Sequence, residues 1–282
     1  EARSTQVTES LEGKELDKSR GQNLAEQLKQ LTGVSVLNTG PTVSKPMVNG
    51  MQGYRLLLLN NGIRHEGQQW GSEHAPEIDP FIGQKLTVIR GASAVRYGSD
   101  AIGGVVLIEP APLHDTTGLS GEVNTIGFSN GRGGALSGQL QGNVGKIKYL
   151  NWRVQGTLKR SGNIRTPEYY LSNTGSSEYN CSYALAYHRK NAGIALYYSQ
   201  FNSRIGIFSG AHTGNLTDLY AAFNRSRPID SLAGFSYNIA GPYQQIAHEL
   251  IKLSSDFHTG PRSRFYAIYA WQYNHRREYD QH

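Results

Sequence analysis

The chain has little of what marks a disulfide scaffold, a helical membrane protein or a nucleic-acid binder. One of its 282 residues is cysteine, so an internal disulfide is excluded. Cys181 falls in an alternating pattern and reads as a small packed hydrophobe. No apolar run reaches the ~18 residues that a transmembrane helix needs, and the mean hydropathy is −0.49. That criterion is blind to a membrane β-barrel, whose strands alternate lipid-facing and lumen-facing residues. The net charge is +6, yet lysine and arginine are dispersed, which argues against nucleic acid as a partner. There is no His-Glu-x-x-His and no Cys pair, so no ordered metal or catalytic motif is present. No cofactor and no enzymatic activity are expected. Residue 1 is Glu and no signal peptide precedes it, so a mature or trimmed chain is expected.

What is present is glycine, at 33 positions, and tyrosine, at 17. The most informative stretch is Val88 to Ile108, VIRGASAVRYGSDAIGGVVLI. It reads as strand, small-residue loop, strand. Glycine serves where the backbone takes positive φ or another chain comes close. Upstream, Leu24, Leu28 and Leu31 stand at helical spacing, and Gly33 ends that pattern. Leu56 to Leu59 is a short apolar run suited to a strand buried on both faces. Asn60-Asn61-Gly62 is a tight-hairpin signal. Pro110 and Pro112 mark a boundary.

These elements, in this order, resemble the plug domain of TonB-dependent outer-membrane receptors. The resemblance rests on Arg90-Gly91, Ser93, Tyr97-Gly98, Ala101 and Gly103-Gly104-Val105-Val106. It extends to the helix and strand of LAEQLKQLTGVSV (24–36) and to the hairpin YRLLLLNNGIR (54–64). Gly91, Tyr97, Gly98, Gly103 and Gly104 are the signature positions. Where the family commonly has Ile-Arg-Gly, this chain has Val48-Asn49-Gly50, so one expected arginine contact is lost or replaced by an amide. The resemblance is specific over about the first 110 residues and a matter of pattern beyond them.

Beyond residue 118 the composition changes: fifteen of the seventeen tyrosines lie there. Trp152, Val154, Gly156 and Leu158 alternate with Arg153, Gln155 and Thr157. Tyr179, Cys181, Tyr183, Leu185 and Tyr187 alternate with Ser182, Ala184, Ala186 and His188. Ile194, Leu196 and Tyr198, then Phe265, Ala267, Tyr269, Trp271 and Tyr273, repeat the pattern. Period two with aromatics near strand ends is the signature of a membrane barrel; a soluble sheet with one wet face is the alternative. The expected architecture is an α+β plug (1–115) followed by antiparallel transmembrane β-barrel strands (116–282). The pattern gives six to eight strands, whereas a plugged transporter needs about 22. The expectation is therefore an N-terminal fragment of a longer receptor, without the segment that binds TonB.

The loop IRHEGQQWGSEHAPEID (63–79) is the candidate site. By resemblance it forms the plug apex. Gln68, Gln69, Trp70, Glu73 and His74 are the candidate ligand contacts, with Trp70 offering a stacking surface or, alternatively, packing on the barrel wall. His65, His74 and the distant His212 are candidate metal ligands, set against solvated charges and plug–barrel ion pairs. By resemblance, Arg55, Arg90 and Arg96 tether the plug to barrel carboxylates. Residues 205–243 read as a long loop, external if the chain is a barrel, with Tyr169, Tyr170, Tyr220 and Tyr237 as contacts or girdle residues. The resemblance implies a bacterial outer-membrane location in contact with lipid. It also implies an extracellular ligand, a metal chelate being favoured by the His/Glu loop, and energy delivered by TonB and its inner-membrane complex. A passive porin or adhesin and a surface metallohydrolase are the alternatives.

Overall fold

A computed structural model describes residues 7–40, 42–71, 74–113, 118–145, 147–211, 215–229, 231–232, 234–260 and 263–279. The N-terminal unit comprises β1 (Val7–Glu12), α1 (Gly13–Asp17), α2 (Leu24–Leu28), β2 (Val34–Asn38), β3 (Ser44–Val48), β4 (Leu56–Asn60), β5 (Ile63–Arg64), β6 (Lys85–Arg90) and β7 (Gly104–Glu109). Five strands form one mixed sheet in the order β1-β6-β7-β4-β5. β4 and β7 are parallel and the remaining neighbours antiparallel. β2 and β3 form a separate hairpin.

The apolar run of β4 is buried on both faces, as its continuity predicts. Leu56 and Leu58 join Leu24, Leu28, Leu86, Val88, Val106 and Ile108 in one core. Leu57 turns to the other face and meets Ile89, Ala94, Ala101 and Val105. The helix is shorter than its leucine spacing suggests. Asn23 caps it by accepting the Glu26 N–H at 3.0 Å, and the chain leaves through turns before Gly33, where φ is +72°. The Asn61-Gly62 hairpin has positive φ at both residues, which places Asn61 at a tip.

The signature stretch folds back over the second core face as short 3₁₀ turns, Gly91–Tyr97 and Ser99–Ala101. It then enters β7 through Gly103 and Gly104. A Cβ on Gly103 would lie 2.8 Å from both the Arg55 carbonyl and the Met51 Cβ. One on Gly104, at φ +137°, would lie 2.8 Å from the Ile89 carbonyl. The glycine pair thus lets β7 slide between β4 and β6.

The second unit comprises β8 (Leu119–Phe128), β9 (Gly133–Asn143), β10 (Leu150–Ser161), β11 (Tyr170–Leu171), β12 (Ser176–Arg189), β13 (Ala192–Gly206), α3 (Leu216–Phe223), β14 (Ser231–Leu232), β15 (Tyr243–Gly260) and β16 (Ser263–Tyr279). The seven long strands form one antiparallel meander, β8-β9-β10-β12-β13-β15-β16. The connections 144–149 and 190–191, with the strand ends Gly260 and Ser263, lie at one end. The longer ones, 162–175 and 207–242, lie at the other, with 129–132. There β11 pairs with β14, so the two long connections are hydrogen-bonded to each other. No helix among the described residues is long and apolar enough to cross a membrane.

The two faces of this sheet are inverted relative to a soluble protein. The face against the N-terminal unit buries Ser137, Arg153, Gln155, Thr157, Ser182, Ser199, Gln244 and His248. The far face exposes Val123, Leu158, Tyr179, Tyr183, Leu196, Tyr269 and Trp271. Water would be the wrong solvent for such an outer face; an extended apolar surface of this kind calls for an apolar surrounding.

The glycine geometry yields a direct test. Gly103→Ala in the full-length protein should destabilise the N-terminal unit by about 1–3 kcal/mol through overpacking against backbone. Gly91→Ala meets open space at φ +67° and should cost only the left-handed penalty of about 1–2 kcal/mol, without a steric clash. Hydrogen-exchange protection of β4 and β7 reads the difference. Protection unchanged in Gly103→Ala would refute the packing account.

Candidate functional site

The loop 65–84 connects β5 to β6 and is the main point of attachment between the two units. Arg20, 8% exposed, fixes its C-terminal end from inside. Its guanidinium donates to the Pro80 carbonyl at 3.3 Å, the Gly83 carbonyl at 3.0 Å and the Gln84 Oε1 at 3.1 Å. The segment between, Ala75 to Asp79, then lies flat against the polar face of the sheet and presents two carboxylates to it.

Glu77 is the centre of the attachment. Its Oε1 accepts from Arg276 Nη2 at 2.5 Å and its Oε2 from His248 Nδ1 at 2.9 Å. Asn274 Nδ2 donates to the same Oε2. The His248 Nε2 faces the Gln272 Oε1 at 3.2 Å, and Gln272 in turn donates to the Arg64 carbonyl at 2.8 Å. His65 stacks on His248 with ring centroids 4.5 Å apart and accepts the Glu77 N–H at 3.1 Å. Burial, reinforced by the neighbouring His248, pushes the His65 pKa well below its ordinary value, so that ring stays neutral. Asp79, 1% exposed, accepts from Gln155 Nε2 at 2.9 Å and the Phe81 N–H at 3.0 Å. Burial raises its pKa, and these hydrogen bonds oppose the shift. Further ties join His74 to Glu278 at 3.2 Å and Lys252 to the Asn61 carbonyl at 2.6 Å. Apolar contact between the units is small, centred on Ile82, Tyr197 and Leu250.

At Glu77 and Asp79 the carboxylates belong to the N-terminal unit and their partners to the strands, whereas at His74–Glu278 the carboxylate is on the strand. Arg55 is exposed and its side chain makes no ion pair among the described residues. Arg90 stays within its own unit, paired with Glu9 at 3.0 Å and donating to the Thr32 carbonyl. Arg96 lies over its neighbour Tyr97, 5.1 Å from the ring centroid. None of the three reaches the seven-stranded sheet.

The candidate ligand residues separate. Gln68 is 2% exposed and turns its amide toward the Gly53 carbonyl. Gln69 accepts the Gly67 N–H at 2.9 Å and donates to Glu66. Trp70 is 53% exposed. Glu73 and His212 lie outside the described residues. His65, Glu77 and His248 bring potential metal-ligand atoms within 4.8 Å of one another, so a cation is geometrically conceivable there. Each side chain is already engaged in the hydrogen bonds above, and Arg276 occupies the carboxylate.

A second group went unread in the sequence. At the end bearing the long connections, four arginines stack on aromatic rings. Arg132 lies over Phe235 at 4.6 Å, Arg160 over Tyr237 at 5.1 Å, Arg165 over Tyr170 at 5.7 Å and Arg204 over Tyr243 at 4.1 Å. None forms a salt bridge among the described residues. Tyr170 and Tyr237 thus belong to a basic–aromatic lip, while Tyr220 is exposed on α3. Below the lip a cavity of about 300 Å³ separates the units, with Asn23, Thr42, Lys159 and Glu178 among its walls. Arginines at strand ends, each within reach of a loop aromatic, were the available signal; pairing across 162–242 was not.

Comparison with known proteins agrees with this geometry. The family model described as "TonB-dependent Receptor Plug Domain" matches residues 1–105. The chain is 35% identical over 139 residues to a vitamin B12 transporter BtuB of Photobacterium profundum, covering 47% of this chain and 22% of the relative. It is 33% identical over 94 residues to a hemin receptor of Yersinia pestis, covering 32% and 14%. The ferric yersiniabactin uptake receptor FyuA from Yersinia pestis superimposes with a TM-score of 0.69 at 17% identity, over 99% of this chain and 42% of that one. The chain therefore spans well under half the length of the proteins it matches. With the signature glycines holding β7 in place, the mixed sheet docked on a polar-faced meander, and the family match over residues 1–105, the N-terminal unit is a TonB-dependent receptor plug domain, and the chain has the fold of a plug followed by antiparallel barrel strands.

Proposed function

We propose that the full-length protein is an outer-membrane active transporter that binds a scarce extracellular nutrient and imports it with energy supplied through TonB. The observation that carries this reading is the inverted sheet: apolar and aromatic outside, polar inside, with a folded plug seated on the polar face. A passive pore has no use for a plug held by buried ion pairs. In the membrane the long connections and the basic–aromatic lip face outward and the tight turns face the periplasm, as in bacterial barrels generally. Ligand binding at the lip and apex biases the plug only by its differential affinity for the two plug states.

The lip narrows the substrate class. Four guanidinium groups without carboxylate partners among the described residues, interleaved with rings, favour a planar or aromatic anion. A siderophore complex or a heme fits that chemistry, in line with what the relatives' names state for those proteins. Trp70, the exposed side chain of the apex loop, is the proposed plug contact, with Gln69 and His74 beside it in the loop. The deciding experiment is growth of cells carrying the full-length gene on iron-siderophore, heme, cobalamin and zinc sources, with and without TonB. TonB-dependent rescue on one source is expected; rescue that persists without TonB would sink active transport.

Two variants test the parts. Trp70→Ala is expected to weaken ligand binding about tenfold, the loss of one stacking contact of roughly 1–2 kcal/mol, while leaving the folded plug intact; undiminished affinity would remove Trp70 from the site. Glu77→Gln leaves Arg276 and His248 facing each other without the anion. Breaking a buried pair in this way costs about 3–5 kcal/mol. Hydrogen exchange in the loop 65–84 should rise sharply, and an unchanged protection pattern would show that the attachment lies elsewhere.

A further inference from the structure

A second cavity lies at the opposite end of the plug–strand interface. It has a volume of about 480 Å³ and is bounded by the plug tip at Asn61, the linker 110–113 and strands β9 to β15. Three of its side chains are unusual together. Arg153 is 7% exposed and uses four of its five N–H donors, two on Gln141 Oε1 and one each on the Ala111 and Pro112 carbonyls. Lys252 donates to the Asn61 carbonyl at 2.6 Å and to Asn61 Oδ1 at 3.3 Å, leaving one of three donors. Tyr197 is 7% exposed. Ser199 stands near it, yet its hydroxyl has no hydrogen-bond partner of acceptable geometry among the described residues.

No carboxylate among the described residues lines this cavity. The nearby acid, Asp79, is already bound by Gln155 and the Phe81 N–H. Arg153, Tyr197 and Lys252 stand in one row across neighbouring strands, with Arg153 opposite Ala184, Ala184 opposite Tyr197 and Tyr197 opposite Lys252. Buried charge is tolerated when it is paired, and the Glu77 network shows this chain doing so elsewhere. Around this space no carboxylate among the described residues supplies the partner.

We propose that this cavity is a second ligand subsite that binds a small organic anion, a carboxylate group lying between Arg153, Lys252 and Tyr197. Binding is a property of the cavity alone. Its role as the exit-side station for an anionic nutrient leaving the lip rests on the transport reading above. The anion would enter as the plug tip shifts, exchanging the Lys252–Asn61 contact for its own. A stepwise route of two anion sites, one at each end of the interface, follows.

The test uses detergent-solubilised full-length receptor at low ionic strength, titrated calorimetrically with tricarballylate, a small tricarboxylate, and in parallel with its neutral triamide. Crystals soaked in selenate provide the location. The wild type should bind tricarballylate and not the triamide, and selenate should give an anomalous peak beside Arg153. Tyr197→Phe removes only the hydroxyl, and Lys252→Gln keeps a donor for Asn61 while removing the charge. Each should weaken tricarballylate about tenfold, the loss of one charge-assisted hydrogen bond. Arg132→Gln, at the lip, should weaken any binding there and leave the selenate peak beside Arg153 in place. Equal binding of acid and triamide, an affinity indifferent to both cavity variants, or a selenate peak only at the lip would overturn the proposal. Because the titration needs no TonB, failure of transport and failure of the subsite give separate results.

Discussion

Everything about the placement of the plug depends on one buried carboxylate, Glu77. A carboxylate withdrawn from water must find positive or donating partners, and here all of them come from two neighbouring strands, β15 and β16. His248, Asn274 and Arg276 project from the same polar face because inward positions recur every second residue along a strand. The alternation that keeps Tyr269, Trp271 and Tyr273 outside is therefore the same alternation that assembles the Glu77 partners inside. Shifting either strand by one residue would expose the bases to the apolar surround and break the attachment at once.

The fold was largely legible in the residues. The two-faced burial of β4 was foretold by the unbroken Leu56–Leu59 run, the hairpin by Asn60-Asn61-Gly62, and the outward faces of β10, β12, β13 and β16 by period-two aromatics. The helix came out shorter than its leucine spacing because the Asn23 cap fixes its start and the turns before Gly33 end it early. The stretch 205–243 was read as a long loop; the strands reach two residues in from its start and one from its end, and its helix α3 and its pairing to 170–171 were not anticipated, since neither shows in a short-range pattern.

The site was less legible. Arginines near glycines in a signature stretch drew attention to Arg55, Arg90 and Arg96, but proximity in sequence does not say which way a side chain faces. The acids in Pro-Glu-Ile-Asp, residues 76–79, were visible only as members of a charged loop. Their partners lie more than 70 residues away, and that separation hides an ion pair from any reading of local spacing. The metal-like grouping of His65 with Glu77 was half visible; its third member, His248, belongs to a strand whose inward polarity only the assembled sheet reveals.

The scarcity of apolar contact between plug and wall has a mechanical meaning. Much of the wall's buried face is serine, threonine, asparagine and glutamine, groups that water can take over one for one as the surfaces part. Such an interface wets as it opens. The strongest of the ties are gathered on the short segment from Glu77 to Asp79, with the Lys252–Asn61 and Arg153–linker contacts toward the other end. The joint combines a stiff latch with a wettable bearing, so that a pull applied at one edge is concentrated on a few side chains instead of being spread over the whole face.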